Sequence, residues 1–164
     1  MVKFRPVTTK DISALQELAY QSWMSAYAAI LSQEQIHYML NEMYSAAVIS
    51  AQLESQNYHY YFIVSDNENA GFIGFEHRYA ERCTKLHRIY LLKEFIGKGL
   101  GKASIDFLKE TVKDFGDEKI ILNVNKKNPA QKIYAAQGFT IYREEVTDIG
   151  NGFVMDDYLM QYII

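Results

Sequence analysis

Ile89-Tyr90-Leu91-Leu92-Lys93-Glu94-Phe95-Ile96-Gly97-Lys98-Gly99-Leu100-Gly101-Lys102-Ala103 joins an apolar strand end to a helix through a loop with glycines at 97, 99 and 101. The residues that follow, Ser104-Ile105-Asp106-Phe107-Leu108-Lys109, repeat their apolar members at helical spacing. Backbone N–H groups in such a strand–turn–helix connection converge on one point. The first helical turn adds unpaired N–H groups and the positive end of the helix dipole. The guest suited to that arrangement is a phosphate or pyrophosphate. Glycine allows the close approach of the anion, and Lys98 and Lys102 bring positive charge nearby. Three alternating glycines also fit a tight connection that binds nothing, so the neighbouring segments must decide. Neither a Gly-x-x-x-x-Gly-Lys-Ser/Thr loop nor an early Gly-x-Gly-x-x-Gly unit with an acidic ribose partner is present.

Outward from this loop the chain alternates helical and extended periods. A first strand is expected over 2–8 and a helix over 10–27 with Thr9 as N-cap, burying Ile12, Leu15, Leu18, Ala19, Ser22 and Trp23. Ser32-Gln33-Glu34-Gln35 has the capping-box pattern, which starts a second helix near Gln33, and a short third helix is expected over 45–54. Strands follow over 58–64, 72–79 and 82–91, the first two joined by a turn at 66–71. Beyond the glycine loop and its helix, which ends at 115–117, a strand over 119–124 precedes a helix opened by Asn128-Pro129 and closed by Gly138. A hairpin over 139–146 and 153–163, turning at 148–152, ends the chain. The expected architecture is one domain over 1–164: an α/β fold with a mixed sheet of about seven strands and helices on both faces.

Asn128-Pro129-Ala130-Gln131-Lys132-Ile133-Tyr134-Ala135-Ala136-Gln137-Gly138-Phe139, taken with Ile96-Gly97-Lys98-Gly99-Leu100-Gly101, resembles the GNAT superfamily of acetyl-CoA-dependent N-acetyltransferases. That family has a Gln/Arg-x-x-Gly-x-Gly/Ala motif whose backbone amides hold the CoA pyrophosphate, then an Asn-initiated helix carrying a Tyr and ending in Gly-Phe. Both stand here in the family's order, and the likeness runs over nearly the whole chain. Ile96 occupies the place of the motif's Gln or Arg, so a side-chain contribution to CoA binding is lost there. The resemblance implies acetyl-CoA as cosubstrate and no metal. It implies that the backbone of Ile89, Tyr90 and Leu91 pairs with the pantetheine arm where two parallel strands splay apart. The pyrophosphate would then lie on Gly97, Lys98, Gly99, Leu100, Gly101 and Lys102. Asn128 would contact pantetheine or cap the helix beside it, and Tyr134 would sit near the thioester sulfur.

Acyl transfer from a thioester to an amine needs a neutral amine, stabilisation of an oxyanion and a proton for the departing thiolate. An acceptor amine with pKa ~10.4 is neutral in only on the order of one molecule in a thousand at pH 7, so a base is useful. Tyr134 is the candidate acid, because a phenol titrating near ~10 can hydrogen-bond to or protonate a thiolate whose thiol titrates near ~8.5. Packing of the helix is its structural alternative. His87, on the strand entering the loop, is the leading candidate base, and Glu76 on the preceding strand is the second. A structural histidine and a solvent-facing glutamate are the corresponding alternatives. Trp23, Tyr27 and Tyr38 are candidate walls of the acceptor site. Glu76, Asp148, Asp156 and Asp157 are candidate partners for a cation.

Net charge of −3 with no basic run beyond Lys126-Lys127 does not support a nucleic-acid surface and accommodates a cationic substrate. One cysteine, Cys83, excludes an intrachain disulfide and a Cys-based zinc cluster. No apolar run approaches the ~20 residues of a membrane span and no signal-peptide core opens the chain, so a cytoplasmic location and no membrane partner are expected. The function expected from these features is direct transfer of an acetyl group to a primary amine, with a small cationic metabolite such as a polyamine fitting the acidity. Protein N-termini, amino acids and aminoglycosides fit nearly as well. An acyl-CoA-binding regulatory or interaction module without turnover is the alternative, favoured by Ile96 and disfavoured by Tyr134. The apolar 158–164 segment is either an interface strand, which would suit a homodimer, or an inner strand.

Overall fold

A computed structural model describes residues 1–164. Its elements are β1 (Val2–Pro6), α1 (Ile12–Tyr27), α2 (Gln33–Met43), α3 (Ala46–Glu54), β2 (Tyr58–Ser65), β3 (Glu68–Ala80), β4 (Cys83–Leu91), α4 (Leu100–Phe115), β5 (Lys119–Asn125), α5 (Ala130–Ala136), β6 (Thr140–Gly150) and β7 (Phe153–Ile163). They build the expected seven-stranded mixed sheet, in the order β1-β2-β3-β4-β5-β7-β6. Every pairing is antiparallel except β4 with β5, where α4 makes the crossover that a parallel pair requires. No helix is long and apolar enough to cross a membrane.

Two apolar cores lie on the two faces of the sheet. On one, Ile105, Leu108 and Val112 of α4 meet Ile63, Ile73, Phe75, Leu86 and Leu122. Those α4 residues follow a three-to-four spacing, so one stripe of the helix is enough to cover the sheet. On the other face, Leu15, Ala19 and Trp23 of α1, Ile36 and Met39 of α2 and Ile49 of α3 pack on Phe62 and Phe72.

Local chemistry sets the boundaries, and in three places it differs from expectation. Thr8, not Thr9, precedes the first helical turn: its N–H and hydroxyl both donate to Asp11 Oδ2 at 2.9 and 3.0 Å, and residues 9–11 form a 3-10 turn ahead of α1. The β2–β3 turn is only Asp66-Asn67, both at positive φ, which suits the twist of a two-residue hairpin and extends β3 back to Glu68. Gly71 therefore lies within a strand. A Cβ there would stand 2.1 Å from the Tyr90 carbonyl oxygen, so close backbone approach of β3 and β4 is the reason for glycine. The C-terminal hairpin turns at Asn151-Gly152, and β6 accordingly runs on to Gly150. β7 lies between β5 and β6, which makes the 158–164 segment mostly an inner strand and leaves β6 at the edge.

Candidate active site

The site begins where β4 and β5 part. Their parallel pairing runs from Cys83↔Lys119 to Leu86↔Leu122 and stops, although β4 continues to Leu91 and β5 to Asn125. Beyond Leu86 the β5-facing edge of β4, including Ile89, Tyr90 and Leu91, has no strand beside it. A β-bulge sits at the fork. The β3–β4 register passes from Phe75↔Leu86 to Gly74↔Arg88, so His87 has no partner. The extra residue turns His87 and Arg88 to the same face of the sheet. His87 stacks on Tyr58 with centroids 5.0 Å apart, and the Arg88 guanidinium lies 4.2 Å over the Tyr44 ring, both on the α1–α3 side. Leu86, Ile89 and Leu91 point to α4.

The open edge of β4 leads through Ile96 to the glycine loop. Gly97 and Gly99 have φ of +84° and +80°, and α4 starts at Leu100. The N–H groups of Gly97, Lys98, Gly99, Leu100, Gly101 and Lys102 find no acceptor within the chain; the first internal bond of the helix is Ala103 N–H to the Gly99 carbonyl, at 3.1 Å. A Cβ at 97, 99 or 101 would meet nothing within 4 Å. The loop is thus a row of unsatisfied donors facing open space, at the N-terminus of a 16-residue helix. Lys98 lies over the Phe95 ring and Lys102 pairs with Asp106 at 2.8 Å, so both cations are only loosely held at the surface. Ile96 is 59% exposed on the rim.

Across the fork, Asn128 caps α5: its Oδ1 accepts the Ala130 N–H at 2.9 Å. Tyr134, one helical turn on, packs half-buried against Phe139 at 5.9 Å, and its hydroxyl has no hydrogen-bond partner in the chain. Burial pushes its phenol above the usual range, with Tyr27 adding to the rise. The Tyr27 and Tyr90 hydroxyls are 2.9 Å apart and close the inner end of the fork.

On the α1–α2 side the fork opens into a cleft of about 260 Å³. β4 contributes Lys85, His87 and Tyr90. Its far wall is Asn123 and Asn125 of β5, Thr147 of β6 and Asp157 of β7, while Trp23, Tyr27, Met39 and Met43 roof it. His87 Nε2 is 2.9 Å from Glu76 Oε1. An ionised carboxylate only accepts, so the neutral ring carries its proton on Nε2 and leaves Nδ1 as the acceptor. Burial holds the His87 ring below its ordinary pKa, outweighing the opposing pull of Glu76. It is therefore neutral near pH 7.

Of the other sequence candidates, Trp23 and Tyr27 line the cleft, and Tyr38 does not. Its hydroxyl donates to the Ile149 carbonyl at 2.8 Å and ties α2 to β6. Asp148 accepts the Gly150 N–H at 2.8 Å in its turn, and Asp156 pairs with Lys126 at 3.0 Å. Lys85, Arg88, Asn123 and Asn125 carried no motif. Their position follows from the bulge and from the β5–β7 register, neither of which leaves a local sequence signal.

The buried histidines set an acid limit to stability. His77, 3% exposed and bonded through Nδ1 to Thr84 Oγ1 at 2.9 Å, is pushed down to about 4 by burial, and His59 and His87 are shifted the same way by the same cause. Below about pH 6.5 the unfolded chain binds protons that the folded chain refuses. The melting temperature should therefore be flat above about pH 7 and fall as pH drops from about 6.5 toward 4, each histidine contributing at most about 1.4 kcal/mol per pH unit. Thermal melts across pH 4–8 check this; a curve flat over that window would mean that the rings are protonated in the folded state.

The acetyltransferase (GNAT) family profile matches residues 15–139. The spermidine N(1)-acetyltransferase of Thermoplasma acidophilum is 28% identical over 94% of this chain and 96% of its own length. An uncharacterized N-acetyltransferase from the pepI 3′ region of Lactobacillus delbrueckii subsp. lactis is 24% identical over 99% of this chain and 98% of its own. The crystal structure of the PaiA N-acetyltransferase of T. acidophilum in complex with coenzyme A superimposes with a TM-score of 0.84, at 25% identity over 100% of this chain and 99% of that one. The profile match spans more than half of the sequence and takes in both the glycine loop and the Asn128 helix, and on that ground this chain belongs to the GNAT family of N-acetyltransferases.

Proposed function

We propose that this protein moves an acetyl group from acetyl-CoA directly to a primary amine of a small cationic metabolite such as a polyamine. The observation that carries this reading is the continuity of the site: the free edge of β4 connects the unpaired amides of 97–102 to a cleft holding a neutral histidine. Acetyl-CoA supplies the thioester. The amides of Gly97, Lys98, Gly99, Leu100, Gly101 and Lys102 hold its pyrophosphate, and the edge of Ile89, Tyr90 and Leu91 pairs with the pantetheine, which brings the thioester to the fork between Tyr90 and Tyr134. His87 Nδ1 takes a proton from the amine as it attacks, and Glu76 stabilises the imidazolium that forms. Tyr134 faces the departing sulfur with a protonated phenol.

Transfer is direct in this reading. Cys83 is fully buried at the start of β4, at the end of the parallel pairing away from the glycine loop, and burial raises its thiol. The 260 Å³ cleft lies just below the ~300–1,000 Å³ of pockets for drug-sized ligands, which favours a small acceptor. The likeness to a spermidine acetyltransferase and to an acetyltransferase bound to coenzyme A supports the same choice. Thiol release from acetyl-CoA, followed over a panel of polyamines, amino acids, aminoglycosides and N-terminal peptides, tests it. Turnover with polyamines is expected. Tight CoA binding without turnover on any amine would favour the regulatory-module reading that the exposed Ile96 suggests.

A further inference from the structure

Three charged side chains other than histidines are buried: Arg88, Asp117 and Asp157. Arg88 donates to the Tyr60 hydroxyl and lies over the Tyr44 ring. Asp117 accepts the Arg78 N–H and the Thr84 hydroxyl at 3.0 and 2.8 Å. Asp157 has neither. It is 6% exposed, makes no ion pair within 4.0 Å, and its enclosed Oδ1 has no hydrogen-bond partner. A buried carboxylate without an ion pair costs stability, and a cation bound in the cleft offsets that cost.

We infer that Asp157 is the counter-ion for a second positive charge on the acceptor, which makes a molecule with two amino groups joined by methylenes the preferred substrate. This rests on the acetyl-transfer reading above. Asp157 lines the cleft from β7, opposite Asn125 in register, whereas His87 and its partner Glu76 stand on the β4 side of the fork. The same cleft is lined by Trp23, Tyr27, Met39, Met43 and Met155, apolar surface suited to methylenes. The lining of one cleft therefore combines an amine site, apolar surface and a carboxylate. Lys85 also lines the cleft, but its ammonium lies over the Tyr79 ring at 4.7 Å and leaves Asp157 unpaired. Burial raises the Asp157 carboxyl, the neighbouring Asn123 amide and Lys85 oppose the rise, and Asp156 and Glu145 add to it; a bound ammonium relieves the net penalty. A substrate carboxylate in the same place meets repulsion, which disfavours amino acids.

The test compares wild type with Asp157→Asn on spermidine, 1,4-diaminobutane and butylamine, together with melting temperature. The variant should raise KM for the two polyamines about 10- to 100-fold, the loss expected for a charge-assisted contact. The loss in kcat/KM should be at least about tenfold smaller for butylamine, which offers no second ammonium to lose. The variant should melt at or above the wild-type temperature, because an amide removes the buried charge. An unchanged preference for polyamines over butylamine, in an active and folded variant, overturns the assignment alone. So does an equal loss of kcat with every amine, or failure of the variant to fold. No turnover of any amine by wild type overturns the acetyl-transfer reading and this inference together.

Discussion

Gly99→Glu should abolish measurable acetyl-CoA binding in calorimetric titration, with Kd raised at least about 100-fold. At Gly99 the backbone is at φ +80°, immediately before α4, and an added side chain enters open space without touching protein. That space is where the unpaired amides of 97–102 converge, so the new carboxylate both occupies the anion site and repels what is meant to fill it. Two unit charges about 5 Å apart at an effective dielectric of about 20 repel by roughly 3 kcal/mol, and a pyrophosphate presents more than one charge. The positive φ adds strain of about 1–2 kcal/mol, which any side chain incurs. Gly99→Ala separates the two effects: it carries the strain without the charge and should lower the melting temperature similarly while keeping CoA binding within about tenfold. Equal loss in both variants would mean that the loop needs glycine for its shape and not for an anion. Unchanged binding in Gly99→Glu would move the pyrophosphate elsewhere.

The elements of this fold were written in short-range chemistry and could be read directly. Ser32 announced α2, and its hydroxyl accepts the Gln35 N–H at 3.1 Å; Ser45, not singled out in the sequence, caps α3 in the same way by accepting the Val48 N–H at 3.2 Å. The apolar spacing of α4, the Asn128-Pro129 start and the glycine loop were legible in the same way. The splayed strands were reached only through family resemblance, because nothing local says that β4 and β5 stop pairing at Leu86 and Leu122. Strict alternation along β4 would have set His87 beside Ile89 and Leu91 under α4. A single unpaired residue reverses that, and the bulge depends on how Gly74 and Phe75 of another strand are registered. The far wall was hidden for a related reason. Asp148, Asp156 and Asp157 look equivalent in sequence, and only the antiparallel register of β7 against β5 turns Asp157 into the cleft while its neighbours reach turn and surface partners. Tyr38 shows the opposite failure: an aromatic at a suitable helical position was taken up by a carbonyl 111 residues away.

Tyr134→Phe should lower kcat about 100-fold or more while leaving acetyl-CoA affinity within a few-fold and the melting temperature within a degree or two. Stability is insulated because the ring does the packing, against Phe139 and the α4-side core, and the hydroxyl has no partner inside the chain to lose. In the proposed mechanism the hydroxyl acts only at the moment of bond breaking. Burial holds the phenol above its usual ~10, so it is protonated over the whole working range and always available as a donor. The same shift makes it a weak acid. Against a thiol near ~8.5, full transfer in advance of reaction is uphill by more than about 2 kcal/mol, so the proton moves only as the C–S bond lengthens and charge collects on sulfur. General acid catalysis of that kind contributes roughly 10²- to 10⁴-fold, which sets the size of the expected loss. Because the donor never ionises near neutrality, the pH–rate profile of wild type should show no descending limb from this residue below about pH 10, and the variant should keep the wild-type acidic limb set by the base. A Tyr134→Phe enzyme with wild-type kcat would return the residue to a packing role and leave thiolate departure to solvent.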